Sequence, residues 1–433
     1  MRTKLIVLFT LLSAALFGQE AKVVSLEECI KIGIDNSKTL KISGSKIVSA
    51  KERLNEIKTA QLPTLRLNGS YSRLSPVDPF QIGSMQISPS ILNNYSARLT
   101  LSQPLFTGNR LSSNTELTEF NSLAAETDFS KDKNRLVLDI KVAYWNYAKA
   151  LKVKETIEKN IVQVQSRFQD LENLYNNGLA TNNEVLKVRV QLSNFEILLL
   201  DATNNIDISL YSLNNILGIP VNTKLEPKAI IELKQPEIPK LDDLIKASKQ
   251  NRSDLKSLDY RIKSGEAGIT LSKAGWYPQL NFTANYLYAN PNSRIFPSVE
   301  KFKGTWDLGI TLSYDIWNWK LTSYQTKQAE ANLEQTRIAK ELTENNIDLE
   351  VSQNYKSLLS VTAKMKLTKE TVEQAKENYR VTNEKYNSGL LLNSEVVDAE
   401  TSLLLAEINN ITTTADYLIV IARLEKSIEN TLK

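Results

Sequence analysis

Two hydrophobic periods alternate along this chain. The first is helical. Leu136, Ile140, Ala143, Tyr147, Ala150, Lys154, Ile157, Ile161, Val164, Phe168, Leu171 and Tyr175 are spaced alternately four and three apart. Ile347, Val351, Asn354, Leu358, Val361, Met365, Thr368, Val372, Ala375, Tyr379, Thr382 and Tyr386 keep the same phase. A seam held over more than five heptads predicts long helices in coiled-coil packing. No proline lies between Pro104 and Pro220, or after Pro297. A helix from about Arg110 to Tyr175 is then on the order of 100 Å long.

Each long helix meets a stop signal, Asn177-Gly178 or Ser388-Gly389, where glycine suits a left-handed helix end. A short polar stretch follows, in which Asn182 or Asn183, and Asn393 or Ser394, can cap a returning helix. The return helices carry seams of their own: Val185, Val188, Leu192, Phe195, Leu199, Ala202, Ile206 and Leu213, and Val396, Ala399, Leu403, Ala406, Asn410, Thr413, Tyr417 and Leu424. Two helical hairpins with tight tips are predicted, the second more polar at Asn410 and Thr413.

The other period is two. Leu65, Leu67, Gly69 and Tyr71 alternate with Thr64, Arg66, Asn68 and Ser70. Tyr95, Ala97, Leu99 and Leu101 alternate with Ser96, Arg98, Thr100 and Ser102. Farther on, Leu280, Phe282, Ala284, Tyr286 and Tyr288 alternate with Gln279, Asn281, Thr283 and Asn285. Trp306, Leu308, Ile310, Leu312 and Tyr314 alternate with Asp307, Gly309, Thr311 and Ser313. These are strands of about ten residues with one apolar and one polar face and aromatics towards the ends, the pattern of outer-membrane barrels. A soluble hairpin lying on a core shows similar alternation. Here the polar face carries Arg66, Arg98 and Asp307, and no other segment is left to cover the apolar face. Four strands cannot close a barrel, and open edges cannot stand in lipid, so several chains must pool their strands. Arg66, Asn68, Arg98, Thr100, Asn281, Thr283, Asn285, Asp307 and Thr311 would then line the lumen. The loops Ser75–Asn94 and Ala289–Thr305 suit an outer surface.

The elements come in the same order twice. Leu26–Leu217 returns as Leu241 to about Ile428, with Pro63 answering Pro278 and Thr100-Leu101-Ser102 answering Thr311-Leu312-Ser313. The offset is 215 at the paired prolines (278 − 63) and 211 afterwards (311 − 100), so the length changes in one inter-strand loop. Residues 20–220 are read as the first copy, 221–240 as a linker and 241–433 as the second. Such repeats pack side by side because one copy cannot bury its surface alone.

Composition removes several chemistries. There is no histidine and a single cysteine, Cys29, which excludes an intrachain disulfide, the usual zinc sets and histidine-based catalytic arrangements. Cys29, in phase with Ile32, reads as a small buried hydrophobe. Net charge is only +4, with no pull towards nucleic acid, and no glycine-rich phosphate loop occurs. No cofactor, metal site or enzymatic activity is expected. Residues 1–19 read as a signal peptide: Arg2 and Lys4, the apolar run Leu5–Leu12, small residues, and cleavage near Gly18 or Gln19.

With Gln61-Leu62-Pro63 and Trp276-Tyr277-Pro278 before strands, Gln103-Pro104-Leu105-Phe106-Thr107-Gly108 after a strand, two Tyr-x-x-Gly-Leu tips, and Leu217-Gly218-Ile219-Pro220 closing the first copy, nearly the whole mature chain resembles the TolC-type outer membrane efflux proteins. The resemblance implies an α+β membrane protein in the outer membrane of a Gram-negative bacterium. It implies a homotrimer, with a twelve-stranded β-barrel in outer-membrane lipid and a periplasmic α-barrel of twelve helices. The linker 221–240, with Pro227, Pro236 and Pro239, would join the belt around the tunnel. The tips would dock a periplasmic adaptor (membrane fusion) protein and an inner-membrane pump of the proton-driven RND or the ATP-driven ABC type. The function implied is passive export through a gated duct, for efflux or type I secretion of drugs, metal ions or proteins. It further implies a periplasmic gate at Tyr386, Gly389, Glu395 and Asp398, with Tyr175, Gly178, Glu184 and Lys187 at the first-copy positions. Leu391 departs from the family, whose best-known members place a latching arginine there. Without the resemblance, Glu395 and Asp398 are acids favoured by a helix N-terminus. The rival from another class is a periplasmic coiled-coil adaptor or scaffold, which would share the heptads and the leader.

Overall fold

A computed structural model describes residues 22–78, 80–87, 91–228 and 238–432. The expected leader, residues 1–19, and Pro236 of the linker lie outside them. The chain opens with β1 (Lys22–Val24), α1 (Leu26–Asn36) and α2 (Lys38–Thr59). Four strands follow: β2 (Thr64–Arg73), β3 (Phe80–Ile82), β4 (Met85–Ile87) and β5 (Asn93–Phe106). Next come α3 (Arg110–Asn176), α4 (Asn182–Leu217) and β6 (Leu225–Pro227). The second half holds α5 (Leu241–Asn251), α6 (Ser253–Lys273), β7 (Gln279–Asn290), β8 (Lys303–Ser313), α7 (Leu321–Asn387) and α8 (Asn393–Ile428). α3 and α7 each have 67 residues, and α4 and α8 each have 36. Their starts differ by 211 in both cases (321 − 110 and 393 − 182). Among the described residues, no helix is long and apolar enough to cross a membrane.

The chain divides into two compact units. One comprises the described residues of Met1–Ser43, Phe129–Ser253 and Thr343–Lys433. Its core follows the heptads: Ile157, Val164 and Leu171 of α3 pack with Val185, Val188, Phe195 and Ala202 of α4, and Leu404 of α8 joins them. A second cluster gathers Val24, Cys29, Ile140, Tyr144, Tyr147, Leu213, Leu217 and Leu225. Cys29 is fully buried there. Gly33 has no room for a side chain, because an added Cβ would collide with Ile140 and press on Leu217. Two features were not anticipated. β6, inside the expected linker, pairs in parallel with β1. Tyr144 and Tyr147 then donate their hydroxyls to backbone carbonyls of Val24 and Leu225, tying this small sheet to α3. Burial pushes the Tyr144 phenol up to about 12.

The other unit comprises Gly44–Asp128 and Asp254–Leu342. Its antiparallel sheet has the order β2-β5-β7-β8, leaving β2 and β8 as edges. The chain departs from the sequence expectation at two places in this unit. The stretch Ser75–Asn94 is not wholly loop: β3 and β4 form a small hairpin, and β5 begins at Asn93. The Gln103–Phe106 motif does not follow a strand but ends β5, with a bulge between Pro104 and Phe106. A bulge absorbs the extra residue that a proline-bearing strand end cannot place in the ladder.

Candidate functional site

Register sorts the sheet into rows. Arg66, Thr100, Asn285 and Asp307 stand side by side across all four strands. Thr100 donates to Asn285 Oδ1 at 2.8 Å, and Asn285 Nδ2 donates to Asp307 Oδ1 at 2.9 Å. Neighbouring polar rows hold Ser102 and Thr283, then Asn281 and Thr311, with Asn281 donating to Ser102 at 3.1 Å. Asn68 and Arg98 share a row with Leu287, the apolar exception. All nine residues read as polar-lining therefore fall on one face. The intervening rows are apolar: Leu65, Leu101, Ala284 and Leu308, then Leu67, Leu99, Tyr286 and Trp306. At one end of that face Tyr71, Tyr95, Tyr288 and Phe302 form a chain of ring contacts 4.9–5.9 Å apart. Arg294, which periodicity could not flag because it sits in a loop, donates to Asp307 Oδ2 at 2.7 Å.

The hairpin tips are built alike up to their glycines. Gly178 and Gly389 take φ of +74° and +73°. Leu179 N donates to Leu174 O at 2.8 Å, and Leu390 N to Lys385 O at 2.9 Å, which satisfies the last helical carbonyls. The return helices then start differently, and neither start is the asparagine or serine cap expected. Thr181 caps α4, and Glu184 completes a capping box with it. The extended backbone at Thr181 decides this, since Asn182 is already helical. At α8 the cap position is Leu392, which offers no side-chain acceptor. Asn393 is instead fully buried, with both amide atoms unpartnered. Glu395 and Asp398 are exposed. Tyr386 is partly buried, and burial followed by the nearby Glu184 charge holds its phenol above the usual range. Tyr175 is more open, at 44% exposure. Lys187 is exposed.

Behind the tips lies a polar knot that sequence reasoning missed. Glu400 of α8 is fully buried, and Arg167 of α3 donates to its two oxygens at 2.7 and 3.3 Å. Gln191 of α4 donates to it at 3.1 Å, and Arg167 also reaches the Tyr379 hydroxyl of α7 at 3.0 Å. Burial pushes the Glu400 carboxyl above its ordinary range, against the pull of the Arg167 charge. The available signal was phase: Glu400 adjoins the seam position Ala399, where a charge faces inward. Asn410, one of the polar seam positions, accepts a bond from Thr368 at 3.3 Å.

Comparison with known proteins bears on what this arrangement does. The sequence model of the family described as "Outer membrane efflux protein" matches residues 34–219 and 244–429. The chain is 22% identical over 371 residues to Outer membrane protein TolC of Salmonella enteritidis, covering 82% of this chain and 72% of that protein. It is 20% identical over 396 residues to the Toluene efflux pump outer membrane protein TtgC of Pseudomonas putida, covering 88% and 78%. Among solved structures, the Campylobacter jejuni CmeC outer membrane channel superposes with a TM-score of 0.81 at 16% identity, covering 93% of this chain and 85% of that one. The outer membrane protein VceC of Vibrio cholerae gives 0.78 at 17% identity, covering 94% and 97%. At such identities the structural likeness is one of fold.

Proposed function

The chain belongs to the outer membrane efflux protein family, and from that premise we propose that it forms the outer-membrane duct of a tripartite efflux or type I secretion system. The observation that carries this reading is the sheet. It has polar rows on one face, apolar rows on the other, and an open edge at each side. An open edge is untenable in hydrocarbon, and three chains supply twelve strands for a closed barrel. The helices support the same assembly. α8 packs Val397 and Ile408 onto the core of the first hairpin. The α4 counterparts, 211 residues earlier, are Leu186 and Ile197, and they stand 50% and 56% exposed beside Val190 and Leu200 at 60% and 71%. A second hairpin from the neighbouring chain would cover them, which closes a ring of twelve helices. Substrate passes along the polar face, delivered by an inner-membrane pump of the RND or ABC type through a periplasmic adaptor that meets the tips. Three copies of Glu395 and Asp398 ring the periplasmic mouth. A periplasmic adaptor is not favoured as the identity of the chain itself, because the family match runs through both copies.

The test is face-specific substitution. Phe282→Arg should impair membrane insertion by roughly 2–4 kcal/mol, while Thr283→Arg is tolerated. Native mass measurement in detergent should return a trimer. Equal damage at both positions, or a stable monomer, would sink the barrel.

A further inference from the structure

Just before α3, Gly108 and Asn109 hold a left-handed turn with φ of +59° and +66°. Before α7 the equivalent residues, 211 farther on (319 − 108), are Trp319 and Lys320, with φ of +52° and +65°. Glycine and asparagine accept this conformation; a tryptophan there is a genuine outlier and points to a use for its side chain. The two turns also differ in room. A Cβ at Gly108 would stand 2.9 Å from Ala274 O. Trp319 is 81% exposed, its ring in edge contact with Trp317, whose own exposure is 72%. Internal packing therefore does not explain the strained tryptophan.

The apolar alternation of β8 runs on past its last residue, Ser313, to the edge of this turn. Trp306, Leu308, Ile310, Leu312, Tyr314 and Ile316 alternate without a break, and Ile316 is 88% exposed. Ten residues of strand rise about 33 Å, or about 25 Å along the normal at a tilt of about 40°, which is the height of an outer-membrane apolar band. Trp317 and Trp319 thus fall at the rim of that band, at the opposite end from Tyr71, Tyr95, Tyr288 and Phe302. Indole rings are favoured at such rims because they are apolar with one polar N–H, and the adjacent Lys320 suits lipid phosphate.

We propose that the Trp317–Lys320 turn is a lipid-interface anchor, seated at the headgroup–acyl boundary beside the start of α7. The proposal rests on the barrel reading. Only the second copy carries the anchor, so a trimer has three.

The full chain in phosphatidylcholine vesicles tests it, with single-tryptophan variants probed by lipids brominated near the headgroup or near the chain end. A chain keeping only Trp319 should be quenched severalfold more by shallow than by deep bromine, and weakly by iodide in the buffer. A tryptophan-free chain carrying Ile310→Trp should be quenched most by deep bromine. If Ile310→Trp behaves so while Trp319 answers to iodide alone, the turn faces water. If Trp319 answers to no quencher, a neighbouring subunit covers it. Either result overturns the anchor and spares the barrel. If Ile310→Trp is not quenched by lipid, barrel and anchor fall together. As a check that needs only one substitution, Trp319→Gly should lower the shallow-quenched emission, with Trp317 supplying what remains, without lowering the melting temperature in detergent. An unchanged quenching profile refutes the proposal.

Discussion

The two helical hairpins have equal lengths and nearly equal tips, yet they use their carboxylates differently. In the first, Glu184 is bound at its own helix start, accepting from Thr181 N at 2.8 Å. In the second, Leu392 stands where Thr181 stood, and Glu395 is left exposed to solvent. Farther along the helices the roles reverse. Asp139 pairs with Arg135 on the surface of its own helix, at 3.3 Å. Its counterpart Glu350 (350 − 139 = 211) accepts from Lys426 at 2.9 Å and from Arg252, the residue between α5 and α6. One scaffold written twice can leave an acid bound at one helix start and exposed at the other, and at the tips a single capping residue makes that difference.

The largest effect should come from the knot joining the hairpins. Arg167→Met leaves Glu400 buried without its cation and should destabilise by roughly 3–5 kcal/mol, whereas Arg167→Met with Glu400→Met should recover most of that loss. Thermal unfolding of the three proteins checks this, and an additive double variant would refute coupling.

The next effect is a matter of pH. Burial alone would raise the Glu350 carboxyl, but hydrogen bonds from Lys426 and Arg252 outweigh it and hold the group below its usual range. A lowered carboxylate contributes stability above its unfolded value, about 4.3, that is lost as pH falls through the folded value. Glu350→Gln should therefore melt lower at neutral pH and converge with the natural protein in acid. Asp139→Asn, at a half-buried position paired only within its own helix, should change the melting temperature little.

Caps come next. Thr181→Ala should lose about 1 kcal/mol, and Leu392→Thr should gain a similar amount by recreating the capping box with Glu395. Stability changes of the reverse sign would mean that the tips are not comparable.

The smallest change in stability, within about 0.5 kcal/mol, is expected for Glu395→Ala with Asp398→Ala. Its signature is electrical: cation preference and periplasmic block by multivalent cations should disappear while the trimer persists, because crowded carboxylates attract cations. Leu392→Thr should weaken the block partly, by engaging one acid of each pair. Retained selectivity and block in the double-alanine chain would leave these residues as ordinary helix-start acids.

What could be read ahead of the structure divides by range. The seam through Ile140, Val164 and Leu358 was legible because its period is local, and all three are buried. The strand faces were legible for the same reason. The cap was misplaced because Asn182 and Asn183 are as good by residue type as Thr181, and only backbone geometry separates them. The pairing of β1 with β6 joins residues about two hundred positions apart through strands of 3 residues each, too short to show a period. Arg167 and Glu400 are 233 residues apart, so the phase of Glu400 beside Ala399 could hint at burial but not name its partner. Nothing in composition announces that Trp319 has a positive φ; only its alignment with Gly108 gives a hint.

The matched lengths, 67 with 67 and 36 with 36, restrict how such a chain can change. If hairpins from both copies and three chains end at one mouth, a seven-residue insertion in α3 alone would push three tips about 10 Å beyond the other three. A four-residue insertion would also rotate the seam out of phase. Descent with modification must then proceed in paired steps, each copy lengthening by whole heptads in both of its long helices. The inter-strand loops carry no such coupling, and the four-residue difference between the copies has accumulated there.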